Sequence, residues 1–144
     1  MTERVRAILI TPNNTMLFIK RIRPGIAPYW VTVGGGVEDT DASRHAALLR
    51  EIGEEIAGTA QILRQLHEME NDKGEKELFY LALVERWNFA DRTGPEFSRT
   101  DRGEYLLEEV PLSTQALDQV NLMPPEFAAV LRQAVEHGDL LTTP

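Results

Sequence analysis

Three glutamates, Glu51, Glu54 and Glu55, stand at spacings i, i+3 and i+4, which gathers them on one side of an α-helix. Like charges so placed cost roughly 0.2–0.5 kcal/mol per pair on an exposed helix, and an Arg50–Glu54 pair one turn apart offsets part of that. A solvated acidic face would therefore need no function. The other reading is that the carboxylates share a divalent cation, because hard cations take clustered oxygen ligands. The glycine run Gly34-Gly35-Gly36, behind a short apolar segment and ahead of the helix, favours this second reading. Glycine lets a backbone turn sharply and approach a ligand closely, so a glycine loop beside a bound cation can hold a phosphate and offer a carbonyl ligand.

Composition narrows the metal and the partners. The chain has no cysteine, which excludes thiolate sites, and its three histidines, at 45, 67 and 137, are far apart in sequence, which argues against a histidine-built zinc site. A metal here is held by oxygen, which favours magnesium, manganese or calcium. Asp39-x-Asp41-x-Ser43 begins like a calcium-binding EF-hand loop, but Arg44 at the sixth position and Arg50 at the twelfth rule that out. The 144 residues, 42% hydrophobic and 26% charged, suit one soluble domain, residues 1–144, with a single core. A net charge of -8 repels a nucleic-acid backbone, which argues against a polymer partner. It does not argue against a small phosphorylated molecule, because bound cations invert the local field. No signal peptide or membrane span is visible, so the expectation is a cytoplasmic protein with no membrane partner.

The elements that must position these groups follow from pattern. Val5 to Ile10 and Met16 to Ile19 are apolar runs around the turn cluster Thr11-Pro12-Asn13-Asn14, and they predict a hairpin. Arg21 to Pro28 is read as a basic loop, and Tyr29 to Val33 as a strand running into the glycines. A helix is predicted from about Ala42 to Ala57, capped by Ser43 or Asp41 and stopped at Gly58, with Leu48, Leu49, Ile52 and Ile56 as its apolar stripe. Two β-rich runs, about 60–70 and 77–87, flank the hairpin signal Asn71-Asp72-Lys73-Gly74. Residues 88–103 read as a long loop and Tyr105 to Val110 as a strand. A last helix is expected over Pro125 to His137, with Phe127, Val130, Leu131 and Val135 facing inward. Strand pairs joined by short turns are not the alternation of a doubly wound fold. The prediction is an α+β protein, a mixed β-sheet covered by helices, whose exposed strand edges would allow a homodimer.

Arg50-Glu51-Ile52-Gly53-Glu54-Glu55, placed behind the glycines, resembles the signature of the Nudix hydrolase family. That signature runs Gly, five residues, Glu, seven residues, then Arg-Glu-aliphatic-x-Glu-Glu-x-Gly-aliphatic. Strict counting puts its first glycine on Gly36 and its early glutamate on Ala42. One extra loop residue puts them on Gly35 and Asp41, the alignment preferred here, since a one-residue loop insertion is cheap. The late glycine falls on Ala57, one residue before Gly58. The resemblance implies an α/β/α sandwich and an enzyme that cleaves a diphosphate linkage in a nucleoside diphosphate joined to another group. It implies Mg²⁺, with Mn²⁺ as a substitute, held by Glu51, Glu54 and Glu55, with a carbonyl of Gly34 or Gly35 as a further ligand. One of the three glutamates, or a downstream loop glutamate, would be the general base on water, and Arg50 would orient a glutamate by ion pairing. Glu96 is the candidate downstream metal ligand, with Glu104 second.

Arg21 and Arg23 are candidate phosphate contacts, and Tyr29 and Trp30 could stack a base, although each of these also reads as an ordinary surface or core residue. The markers of the ADP-ribose, dinucleoside polyphosphate, NADH and coenzyme A subgroups are absent. The expected proline near position 73 is replaced by Asp72-Lys73-Gly74, and the nearest tyrosine to position 75 is Tyr80. ADP-ribose-like compounds and (d)NTPs both remain as substrates, and a catalytically silent Nudix-fold module that binds a nucleotide or a partner is the alternative.

Overall fold

In the computed structural model the chain is described over residues 2–88 and 103–140. Eight-residue strands β1 (Glu3–Ile10) and β2 (Thr15–Ile22) form the opening hairpin. They are followed by β3 (Tyr29–Val31) and β4 (Val33–Gly36), then helix α1 (Arg44–Ile56). Next come β5 (Thr59–Glu70), β6 (Lys76–Arg86), β7 (Glu104–Pro111), a one-turn helix α2 (Thr114–Leu117) and α3 (Pro125–Glu136). All seven strands belong to one mixed sheet.

Its organising feature is a fork. β1 and β2 pair only at Leu9↔Leu17 and Ile10↔Met16, beside their connecting turn, and then diverge. Below that point β2 pairs with β3 and β1 pairs with β4. The segment 29–36 thus crosses the gap, changing partner at the buried Thr32. β6 runs parallel along the other edge of β1, and β5 and β7 are the outer strands.

Each face of the sheet carries its own core, because side chains alternate across a strand. Val5, Ala7, Leu9, Leu17, Ile19, Leu78, Tyr80 and Ala82 pack under α1 through Ala47, Leu48, Ile52 and Ile56. Ile8, Ile10, Met16, Phe18, Phe79 and Leu81 pack against Phe127 and Leu131 of α3, with the Phe79 and Phe127 rings stacked at 3.8 Å. This is the predicted layer order, a mixed sheet with a helix on either face.

The structure corrects several local readings. The glycines are not a loop but strand β4, hydrogen-bonded to β1. The basic loop begins at Arg23, because β2 continues through Arg21, which has partners in both β3 and β7, and Ile22, which pairs with β7. Leu49 does not belong to the buried stripe of α1 and is 44% exposed. Val130 and Val135 are only partly buried, while Phe127 and Leu131 carry the α3 contact. The short α2, capped by Ser113, gave no periodic signal long enough to read. Most of the expected loop 88–103, including Glu96, lies outside the described residues.

Candidate active site

Helix α1 begins where Ser43, in an extended conformation, accepts the Ala46 N–H through its side chain at 3.0 Å. Its last turn contains Glu54 and Glu55 and no basic residue. Carboxylates near the negative end of a helix dipole cost roughly 0.3–1 kcal/mol each, a modest penalty that Arg50 offsets through its contact with Glu54.

Arg50 organises the neighbourhood. Its Nε and Nη2 donate to the two oxygens of Asp41 at 2.9 and 3.0 Å, a two-pronged contact. Nη1 donates to Glu51 at 3.1 Å and to Glu54 at 2.9 Å, and Nη2 also donates to the carbonyl of Gly36 at 3.0 Å. Asp41 in turn accepts the Glu38 N–H at 2.8 Å. Arg50 therefore ties the segment before α1, strand β4 and two of the three glutamates into one unit. The hydrogen bonds from Arg50, then that from the Glu38 backbone, hold the Asp41 carboxyl below the usual carboxylate range. The same contact with Asp41 raises the guanidinium of Arg50 further above its already high value.

The glycines meet the glutamates directly. Gly34 N–H donates to Glu55 at 3.0 Å, and Glu55 is 8% exposed. A Cβ on Gly35 would stand 2.5 Å from Glu51 Oε1, so the bare backbone at 35 is what makes room for that carboxylate. A Cβ on Gly34 (φ +154°) would stand 2.0 Å from the Val5 carbonyl oxygen, whereas at Gly36 it would meet nothing. Glu51, Glu55 and all three glycines line a cleft of about 850 Å³, within the range of small-molecule sites. Glu54 does not line it, being turned to Arg50.

The other predicted residues fall out unevenly. Arg21 lines the cleft, its guanidinium 3.9 Å from the ring centre of Tyr105 and 5.8 Å from that of Tyr29. Arg23 is exposed and outside the cleft, and Glu104 is exposed at the start of β7. Trp30 turns to the α3 side, where its backbone N–H donates to the Asn121 carbonyl at 2.9 Å. His45 packs edge-on against Tyr80, and His67 lies beside Phe79 and Phe127, 3.4 Å from Glu126. Sequence reading missed Arg4 and Arg6, which line the cleft from β1. Their signal was present, as two charged residues alternating with core residues in an otherwise apolar strand.

Comparison with known proteins now bears on this geometry. The family model described as NUDIX domain matches residues 1–137. The chain belongs to the Nudix family. That makes it a pyrophosphohydrolase in class. Among curated proteins no sequence matches. Solved structures that share the fold include the Escherichia coli ORF135 protein, with TM-score 0.64, 20% identity, and coverage of 99% of this chain and 95% of that one. A MutT protein from Methanosarcina mazei matches at TM-score 0.65 and 17% identity, over 95% and 94% of the two chains. An ADP-ribose pyrophosphatase from Streptococcus suis matches at 0.63 and 16%, over 92% and 90%.

Nudix hydrolases generally use divalent metal ions. The donors gathered here suit a hard cation: the carboxylates of Glu51 and Glu55 beside the backbone of a glycine strand. Among the described residues no three Asp, Glu, His or Cys side chains already stand as a preformed cage. Glu51 and Glu55 line the cleft and Glu54 does not, while Glu51 and Glu54 both accept from Arg50. No helix among the described residues is long and apolar enough to cross a membrane.

Proposed function

We propose that this chain hydrolyses a diphosphate linkage in a nucleoside diphosphate derivative, either a (d)NTP or an ADP-ribose-like compound, in a Mg²⁺-dependent reaction in which Mn²⁺ can substitute. The observation that carries this is the seating of Glu51 and Glu55, on successive turns of α1, against the backbone of Gly34-Gly35-Gly36 in the cleft. The structural likeness to an ADP-ribose pyrophosphatase from Streptococcus suis is consistent with the second of these substrate types.

In this reading Glu51 and Glu55 hold the cation, joined by Glu54 and a glycine carbonyl. When bound, the cation neutralises phosphate charge and lowers the pKa of an attacking water. The chain's own residues do the rest. Gly34 fixes Glu55 by its N–H donation, and Gly35 leaves space for Glu51. Arg50, anchored by Asp41, holds Glu51 and Glu54 in register. The Arg21 guanidinium, resting on the ring of Tyr105, contacts a phosphate. One of the three glutamates, or Glu96, takes the proton from water. The substrate is a small molecule met in the cytoplasm, and the outer strands β5 and β7 leave edges where a homodimer can form.

A panel of nucleoside diphosphate derivatives and (d)NTPs, assayed for phosphate or nucleotide release with and without Mg²⁺, tests the proposal. Glu55→Gln and Glu54→Gln should each lower kcat by orders of magnitude with little change in melting temperature. Binding without turnover across the panel would leave the silent nucleotide-binding module in its place.

A further inference from the structure

The cleft has a second floor, on the sheet face opposite α1. In β1, Val5 and Ala7 belong to the core under α1, so Arg4 and Arg6 project to the α3 side. They stand directly across from Gly36 and Gly34, and no side chain covers them from β4. Each is held by one contact: Arg4 Nε donates to Glu75 at 2.9 Å and Arg6 Nε donates to Glu77 at 3.1 Å. Asn71 Nδ2 donates to both carboxylates, at 3.0 and 2.9 Å, and joins the two pairs into a ladder. Among the described residues the Nη groups of Arg4 and Arg6 have no protein partner, although both arginines line the cleft. A guanidinium fixed through Nε alone presents its outer fork, two parallel N–H donors, to whatever enters.

Charge decides what that fork takes. Glu75 and Glu77 cancel the two arginines, and Glu70, Asp72 and Glu126 outweigh Lys73 in the same lining. A second phosphate would be repelled here, while a neutral group with two adjacent acceptors would not. We propose that Arg4 and Arg6 are specificity-determining residues that read a nucleobase edge bearing two adjacent acceptors, as guanine does at O6 and N7. Adenine offers an acceptor beside a donor at the same edge and cannot satisfy the fork. The inference rests on the hydrolase reading above for the placement of the diphosphate, with the nucleoside on the Arg4/Arg6 floor.

The test compares GTP with ATP in steady-state kinetics, and GMP with AMP in calorimetric binding, for the wild type, Arg4→Lys and Arg6→Lys. Lysine keeps the charge and removes the fork. The wild type should prefer guanine, and Arg6→Lys should reduce that preference roughly ten- to hundredfold, with the loss in KM rather than kcat. Thermal melts identify a variant whose loss is structural, which would lower both bases alike. A wild type that does not prefer guanine overturns the inference, as does an Arg6→Lys variant that keeps the wild-type ratio. Absence of turnover for every nucleotide defeats the hydrolase reading, and GMP-against-AMP binding still decides the base.

Discussion

Replacing Gly35 by alanine should damage chemistry far more than folding. The new Cβ would lie 2.5 Å from Glu51 Oε1, 2.6 Å from its Cδ and 2.7 Å from Oε2. Ordinary contact begins at 3.4 Å, so the carboxylate has to retreat by about 0.9 Å. A misplacement of roughly 1 Å in a reacting constellation costs about 10²-fold, equivalent to about 2.7 kcal/mol of barrier. The effect on folding is much smaller. A carboxylate is the free end of a side chain and can move. The strained contact is the Arg50–Glu51 bond at 3.1 Å, between groups 24% and 13% exposed, and Arg50 keeps its Asp41 anchor. Alanine in place of glycine returns about 0.5–1 kcal/mol through the unfolded chain, so the net stability change should stay within about 1 kcal/mol. The two neighbours are built-in controls. Gly36→Ala meets open space and should retain activity, while Gly34→Ala drives its Cβ to 2.0 Å from a backbone oxygen and should unfold or misfold the chain. Mg²⁺-dependent kcat/KM with urea unfolding on all three variants settles the matter. A Gly35→Ala enzyme within threefold of wild type, or an equal loss in Gly36→Ala, would refute the reasoning.

Three further outcomes follow from the same geometry. Arg50→Met leaves the Asp41 carboxylate without its two-pronged partner and removes the tie between the segment before α1 and strand β4, and should lower the urea midpoint. Arg50→Lys should recover only part of that, because one ammonium cannot span five acceptor contacts; full recovery would show that charge alone matters. Ala57 ends α1 at φ +48°, in the left-handed region, so Ala57→Gly should raise stability by about 0.5–1 kcal/mol, and an unchanged or lower melting temperature would count against it. Acid should unfold the protein through carboxylates bound more tightly in the folded state. The Thr15 and then the Asn13 hydrogen bonds hold Glu109 below its usual range, as the Arg132 contact does for Asp118. A depressed folded pKa contributes stability that is present above the unfolded values, about 4.3 and 3.9, and lost as pH falls through the folded ones. Melting temperature should therefore hold steady down to about pH 5 and fall below 4, and Glu109→Gln should make that fall shallower.

Much of this architecture was readable from pattern, and what was not has identifiable causes. The α1 stripe, the Ser43 cap and the 71–74 turn are local signals, carried by 3.6-residue periodicity and by turn chemistry, and the structure repeats them. Leu49 was misread because a stripe inferred from spacing is one residue wider than the contact the sheet offers. The glycines were read as a loop because glycine disfavours strands in general. Here β1 offers an unpaired edge below the fork, and that tertiary fact overrides propensity. Arg21 was assigned to a loop for a similar reason, since its partners in β3 and β7 are distant in sequence. At the candidate site, the sequence pointed to Arg50, Glu51, Glu54 and Glu55, but spacing alone could not separate Glu54, which does not line the cleft, from Glu51 and Glu55, which do. The acid at 41 was preferred on a one-residue shift, and the structure places it on Arg50 at hydrogen-bond distance.

The fork also explains why three glycines stand together. A segment that changes partner from β2 to β1 lies in the gap between them, and each of its residues meets a different constraint. Gly34 lies so close to β1 that only a hydrogen fits against the Val5 carbonyl. Gly35 faces α1 and yields its side-chain space to Glu51. Gly36 opens on empty space and has its carbonyl held by Arg50. A flexible turn would tolerate alanine at any of the three in rough proportion to its backbone freedom. A strand wedged between a carboxylate helix and an arginine-bearing neighbour predicts a hierarchy instead: folding lost at 34, chemistry lost at 35, neither lost at 36. The difference in kind between those outcomes, more than the size of any one of them, distinguishes a built site from a glycine-rich connection.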